Sequence, residues 1–234
     1  SRRIGIWIDE ALEIAPADYW RWVLARMRPE ARDQNFTWKE FYRIVNTELN
    51  DDIGNFAHRV LSMTRSWFSS KIPEPGNTEP GGAVEEALRA AWRAAEALER
   101  VEIKKATEEV LAIARTGNRY LNESEPWSLV KTSRDKAAQV VWEALYILKM
   151  LTHTMAPFMP RKAEELWRMM GLEGSVNEKV WDNELDNPPK PGTPIGEVKP
   201  LFKKLPADFL DRIDDIIEEA RRKANEKRPR LLRD

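Results

Sequence analysis

The sequence predicts an all-α fold: an up-and-down helical bundle with a short leading module before it and an irregular tail behind it. Three observations predict it. Apolar residues recur every three to four positions through successive blocks. No stretch alternates apolar and polar residues as a half-buried strand would. Glycine and proline gather between the periodic blocks and divide them. With 234 residues, 42% hydrophobic and 33% charged, the chain can bury a sizeable core beneath a heavily solvated surface.

The opening block, residues 4–27, ends at Pro29; within it Pro16 starts a short helix carrying Tyr19, Trp20, Val23, Leu24 and Met27 at helical spacing. Thr37-Trp38-Lys39-Glu40 is a capping-box pattern, with a hydroxyl at the cap and a carboxylate three residues on. One helical period then runs through Phe41, Ile44, Val45, Leu49, Ile53, Phe56, Val60, Met63 and Trp67. Gly54, which costs about 1 kcal/mol against alanine in mid-helix, serves there either close packing or a bend. A proline-rich stretch around Pro73 and Pro75 closes the block.

Gly81-Gly82 opens an alanine-rich helix over residues 83–100, continuing after a break near Arg100 to about Ala114, with Gly117-Asn118 as a C-cap signal. Residues 120–127 have weak periodicity and contain Pro126. A further helix spans residues 133–155, stopped by Pro157 and Pro160, and a short one spans 163–170. Residues 174–200 are rich in proline, glycine and asparagine, with Val176, Val180 and Trp181 as anchors, and a final helix over 209–223 runs into a basic end at 221–233.

Composition removes whole classes of chemistry. The chain has no cysteine, which excludes disulfides, thiolate catalysis and cysteine-ligated metal. Its two histidines, His58 and His153, are too few for a histidine-rich metal site; His58 reads as a helix-flank residue or at most an RNA contact, and His153 as a core or boundary residue. No apolar run reaches membrane-spanning length, so no membrane is expected as a partner and the cytoplasm is the expected location. Lys+Arg (38) nearly balances Asp+Glu (39), so any nucleic-acid binding must rest on local groups. No phosphate-binding glycine motif occurs.

Two constellations stand out. Glu48, Asp52, Asn55, Arg59 and Ser62 recur at steps of four and three and form one polar ribbon. In it Asn55 and Arg59 project an amide and a guanidinium one turn apart, a pair suited to the edge of an unstacked base. The same spacing also suits an ordinary solvated helix face. The second is Asn122-Glu123-Ser124-Glu125-Pro126-Trp127, where an indole after a proline offers a stacking platform. Trp127 as a helix-entry anchor in the core is the other reading.

Longer motifs join the two. Met155-Ala156-Pro157-Phe158-Met159-Pro160 followed by Ala163-Glu164-Glu165-Leu166-Trp167 is similar to a helical signature shared by the methionine, leucine, isoleucine and valine class I aminoacyl-tRNA synthetases. Residues 46–59, NTELNDDIGNFAHR, resemble the anticodon helix of the methionyl-tRNA synthetases, NESEPW their second anticodon-contacting segment, and Lys199-Pro200-Leu201-Phe202-Lys203-Lys204 the start of their tail. The opening residues resemble the stretch just after that family's K-M-S-K-S loop, with Ser1 in the place of its final serine.

This resemblance implies an anticodon-binding bundle over residues 34–172, preceded over 1–33 by the stem-contact end of the catalytic half and succeeded over 173–234 by a linker and helix folding back toward that half. It carries base reading onto Asn55 and Arg59, base stacking onto Trp127, and loop shaping onto Pro126. Asn122 stands where the family often has aspartate. The implied partners are methionine tRNA through its CAU anticodon and the catalytic domain of the same enzyme. Arg65, Lys71 and Arg119 are candidates for phosphate contacts. The H-I-G-H motif lies outside this chain, which is therefore expected to be non-catalytic alone and to bind no cofactor, with ATP and any zinc-bearing insertion belonging to the catalytic half. A docking module for that half and the bundle of a sister synthetase are the rival readings.

Overall fold

The computed structural model describes residues 5–30, 35–77, 79 and 81–228, and no secondary structure but helices is formed among them apart from one isolated antiparallel bridge between Lys71 and Pro194. Ser1 and the 33/34 boundary lie outside the described residues. The chain order is α1 (Ile8–Ile14), α2 (Ala17–Arg26), α3 (Trp38–Arg43), a π-helix (Ile44–Gly54), α4 (Asn55–Trp67), α5 (Gly82–Glu99), α6 (Ile103–Ser124), α7 (Pro126–Thr132), α8 (Arg134–Met155), α9 (Pro160–Met169), a 3₁₀ turn (Val176–Glu178), α10 (Trp181–Glu184) and α11 (Ile213–Lys227). No helix among the described residues is long and apolar enough to cross a membrane.

Helix α8 is the axis of the bundle. From Ala137 onward it is buried on all sides, against α4, α5, α6, α7 and α9, rather than along the single stripe its sequence pattern suggested. Helix α5 turns Ala87, Ala90, Ala91, Ala94 and Ala97 inward, small side chains that let it lie close to α6. The predicted break falls just past α5, where Val101 takes a positive φ of 60°.

Three expectations are corrected. The period from Thr37 to Trp67 is not one α-helix. Thr37 caps α3 by accepting the Glu40 amide at 3.2 Å, but Glu40 turns its carboxylate to Arg43 instead of closing the box. The eleven residues from Ile44 then wind as a π-helix before α4 begins. The wider winding changes the phase, so Glu48 faces inward. It accepts from Trp22 Nε1 (3.2 Å), Arg26 Nε (2.9 Å) and Arg43 Nη2 (3.0 Å). Gly54 sits at the π-to-α junction, where a Cβ would lie 3.3 Å from the Phe202 ring, so it serves packing and the change of winding together.

Second, Gly117-Asn118 ends nothing. Helix α6 continues through it to Ser124 because Gly117 lies under the Phe56 ring, and it stops at Glu125, in the left-handed region at φ 42°. Residues 120–124 are thus the last turn of a helix, and their weak apolar period reflects the outward face they present.

Third, the tail is anchored differently. Val176 is buried, but Val180 is exposed and Trp181 half-buried; the remaining anchors are Leu185, Ile195, Leu201, Phe202 and Phe209. The last helix starts at Ile213, later than its pattern suggested, because Phe209 is spent in a turn against Phe41 and Tyr42. Helix α11 packs on α1, with Lys227 reaching Glu13 at 2.5 Å and Arg221 reaching buried Glu10 at 3.6 Å.

Candidate nucleic-acid interface

Helices α4, α6 and α7 meet where the candidate residues lie. Phe56, Val60 and Leu61 bury one side of α4, which leaves Asn55 exposed and Arg59 half-exposed. Alongside, the last turns of α6 present Asn118 and Asn122 from one face, four residues apart. The single left-handed residue Glu125 then turns the chain directly into α7, with buried Pro126 at its first position and Trp127 next. Trp127 is therefore displayed by the first turn of a helix, not by a loop, and stands 39% exposed.

Arg59 joins the elements. Its Nη2 donates to Asn122 Oδ1 at 2.8 Å, its Nη1 to Asn118 Oδ1 at 3.3 Å, and its Cζ lies over the Trp127 ring, 5.6 Å from the centroid. Burial lowers the Arg59 pKa, and the guanidinium stays charged at any physiological pH. Two acceptors leave several of its five N–H donors for a ligand. The Asn55 amide, one turn before it, makes no hydrogen bond among the described residues.

Four of the five residues singled out from sequence thus surround one guanidinium or shape its platform: Arg59, Asn122, Pro126 and Trp127. Asn55 shares the α4 surface. The polar ribbon holds only in part. Asp52 pairs with Arg115 at 2.9 Å, His58 Nε2 lies 3.4 Å from Ser62 Oγ, and Glu48 leaves the ribbon for the interior. Among the expected phosphate contacts, Arg119 is engaged by Glu86 at 2.6 Å, while Arg65 and Lys71 are exposed. His153 is a core residue, edge-on to Trp167 at 4.9 Å.

Asn118 was missed. Its Nδ2 donates to Asp52 O at 2.8 Å and to Ala114 O at 3.2 Å, while its Oδ1 takes Arg59, so one amide ties α6 to the π-to-α junction and orients the guanidinium. Its spacing of four from Asn122 was the available signal, hidden by reading Gly117 as a helix stop.

Residues 72–215 match the family model for the anticodon binding domain of methionyl tRNA ligase, and residues 1–61 match that for class I tRNA synthetases (M). The bundle is accordingly a helical anticodon-binding domain of the class I aminoacyl-tRNA synthetases. Among curated proteins, the methionine–tRNA ligase of Aeropyrum pernix is 63% identical over 235 residues, covering 100% of this chain and 41% of that protein. That of Ignicoccus hospitalis is 49% identical over 230 residues, covering 97% and 40%. The free-state crystal structure of Mycobacterium tuberculosis methionyl-tRNA synthetase superimposes with a TM-score of 0.76 at 21% identity over 84% of this chain and 40% of that one, a likeness of fold. The chain belongs to the methionyl-tRNA ligase family and spans about 41% of the length of the first of these relatives.

Proposed function

We propose that this chain reads the CAU anticodon of methionine tRNA within a methionine–tRNA ligase, supporting aminoacylation carried out by the rest of that enzyme. The observation that carries the reading is Arg59, held between two α6 amides over a partly exposed Trp127. An unstacked base laid on the indole gains roughly 1–3 kcal/mol from stacking. Its edge then meets the spare donors of Arg59 and the amide of Asn55, which both donates and accepts. A wrong base leaves those groups unpaired, and leaving a desolvated donor unsatisfied costs about 1–3 kcal/mol. The internal hydrogen bonds of Arg59 hold the fork in place before RNA arrives, which lowers the ordering cost of binding.

In this reading residues 34–172 form the decoding bundle, residues 1–33 and 173–234 bridge to the catalytic half, and ATP with any zinc is held by that half, in the cytoplasm. Binding of the chain to anticodon stem-loops carrying CAU or altered bases, at stated salt, tests it. Trp127→Ala should weaken the cognate loop and compress the difference between loops; equal affinity of the unaltered chain for every loop would overturn it.

A docking role accompanies this. Lys199 and Lys204, expected to face the catalytic half, are paired within the chain to Glu165 and Asp51. An exposed apolar surface lies at α1 and its N-cap, where Trp7, Ile8 and Leu12 stand 57%, 79% and 47% open to solvent inside the segment matching the class I synthetase model. Co-purification with a separately expressed catalytic half, lost on Ile8→Asp, is the outcome that supports this role.

A further inference from the structure

A cleft of about 250 Å³ opens between the π-to-α junction and the tail, sharing Asn55 with the candidate interface but lined by none of Arg59, Asn118, Asn122 or Trp127. Its two walls differ in chemistry. The helical wall presents Asn50, Asp51, Asn55 and His58, groups that donate and accept hydrogen bonds; the tail wall is apolar, from Pro200 to Phe202. Gly54 forms part of the lining, and a Cβ there would press on Leu49 O at 3.1 Å and on the Phe202 ring at 3.3 Å.

The tail wall is fixed in place from both sides. Tyr19 Oη accepts from Lys203 N at 2.7 Å and donates to Lys203 O at 3.3 Å. Asn46 Oδ1 accepts from Leu205 N at 2.8 Å while its Nδ2 donates to Leu205 O at 3.1 Å. The Tyr19 and Phe202 rings lie 5.7 Å apart, and Lys204 offsets the Asp51 carboxylate at 2.8 Å. The cleft is therefore pre-formed and not charged on balance, and exposed Lys203 lies next to it along the chain.

A ligand matching one apolar wall and one hydrogen-bonding wall is flat on its faces and polar at its edge, which describes a nucleobase. We infer that this cleft takes a second splayed base of the same anticodon loop, Asn50, Asn55 and His58 meeting its edge and the Pro200–Phe202 turn covering its face. The tail is then part of the RNA surface. This rests on the anticodon reading, and adds that α4 serves two bases from its two flanks, Arg59 toward Trp127 and His58 toward the tail, with Asn55 between them.

The test is a coupling measurement with the full 234-residue chain and CAU stem-loops in which each loop base in turn is replaced by an abasic site. His58 is exposed, so His58→Ala leaves the fold intact. It should weaken the intact loop about fivefold, the worth of one hydrogen bond. That loss should vanish with one abasic loop, at a position different from the one at which the Trp127→Ala loss vanishes. Coupling of Trp127 alone, or of both residues to the same position, overturns the second base site and leaves the anticodon reading standing. If neither residue couples to any base, or the chain binds no loop, the anticodon reading falls and the cleft assignment with it.

Discussion

Gly117 lies so close beneath Phe56 that the Cβ it lacks would fall 2.2 Å from the ring's Cζ. That contact sets the separation of α4 and α6, and hence the reach of Arg59 to Asn118 and Asn122. Gly117→Ala gains about 1 kcal/mol in helix propensity but forces a buried ring out of place, an overpacking that costs about 1–3 kcal/mol. The steric term should win. We expect a net loss of about 1–2 kcal/mol in urea unfolding, together with weaker stem-loop binding although no RNA-facing group is altered; unchanged unfolding would refute it.

The guanidinium of Arg59 is held by its shape as well as its charge. Lysine at this position keeps the charge but cannot donate to Asn118 and Asn122 at once from a planar fork. Arg59→Lys should therefore lose about tenfold in affinity for the CAU loop, about 1.4 kcal/mol, with little change in thermal stability. Titration at two salt concentrations checks the cause: a purely electrostatic role would leave the lysine variant close to the parent.

Glu48 is a carboxylate removed from water and held by two arginines, one largely buried and one half-exposed. Removing its charge leaves Arg26 without its principal partner, which in fully buried pairs costs about 3–5 kcal/mol. Allowing for the exposure of Arg43, Glu48→Gln should destabilise by about 2 kcal/mol. Because the same carboxylate ties α2 and α3 to the π-helix, the variant should also weaken stem-loop binding. A variant as stable as the parent would show that this cluster does not hold the π-helix.

The helical class, the blocks and their order were legible from apolar spacing, since most helices here bury a single face and leave the other in water. The positions of Asn55 and Arg59 on α4 were legible for the same reason. The spacing could not show the change of winding at Ile44, because a π-helix and an α-helix differ by only one residue in the span of each backbone hydrogen bond and Val45, Leu49 and Ile53 satisfy both. Glu48 was misplaced as a result. Gly117 was misread because a glycine that ends a helix and one that admits a neighbouring ring look identical in one dimension. The cleft beside Asn55 depends on Phe202 meeting Gly54, a long-range contact without local signal.

His153 supplies a pH dependence whose sign is set by its surroundings. Burial, reinforced by the nearby Lys149 ammonium, pushes its pKa down from 6.5 to about 4, with Glu184 opposing and Lys179 adding to the fall. Neither ring nitrogen has a hydrogen-bond partner among the described residues, and the ring lies edge-on against Trp167. The folded state therefore prefers neutral imidazole, and between pH 6.5 and 4 the unfolded chain binds the extra proton. Stability is full above the unfolded value and falls as pH drops through this window, by up to about 3 kcal/mol at its lower end. His153→Leu removes the titrating group while keeping an apolar filler, so its stability should fall less between pH 6.5 and 4 than that of the parent chain. Glu165, whose pKa Lys162 and Lys199 lower against the opposing effect of burial, titrates in both proteins and so cancels in the comparison. Parallel curves for the two proteins across the window would show that His153 is not held neutral by the core.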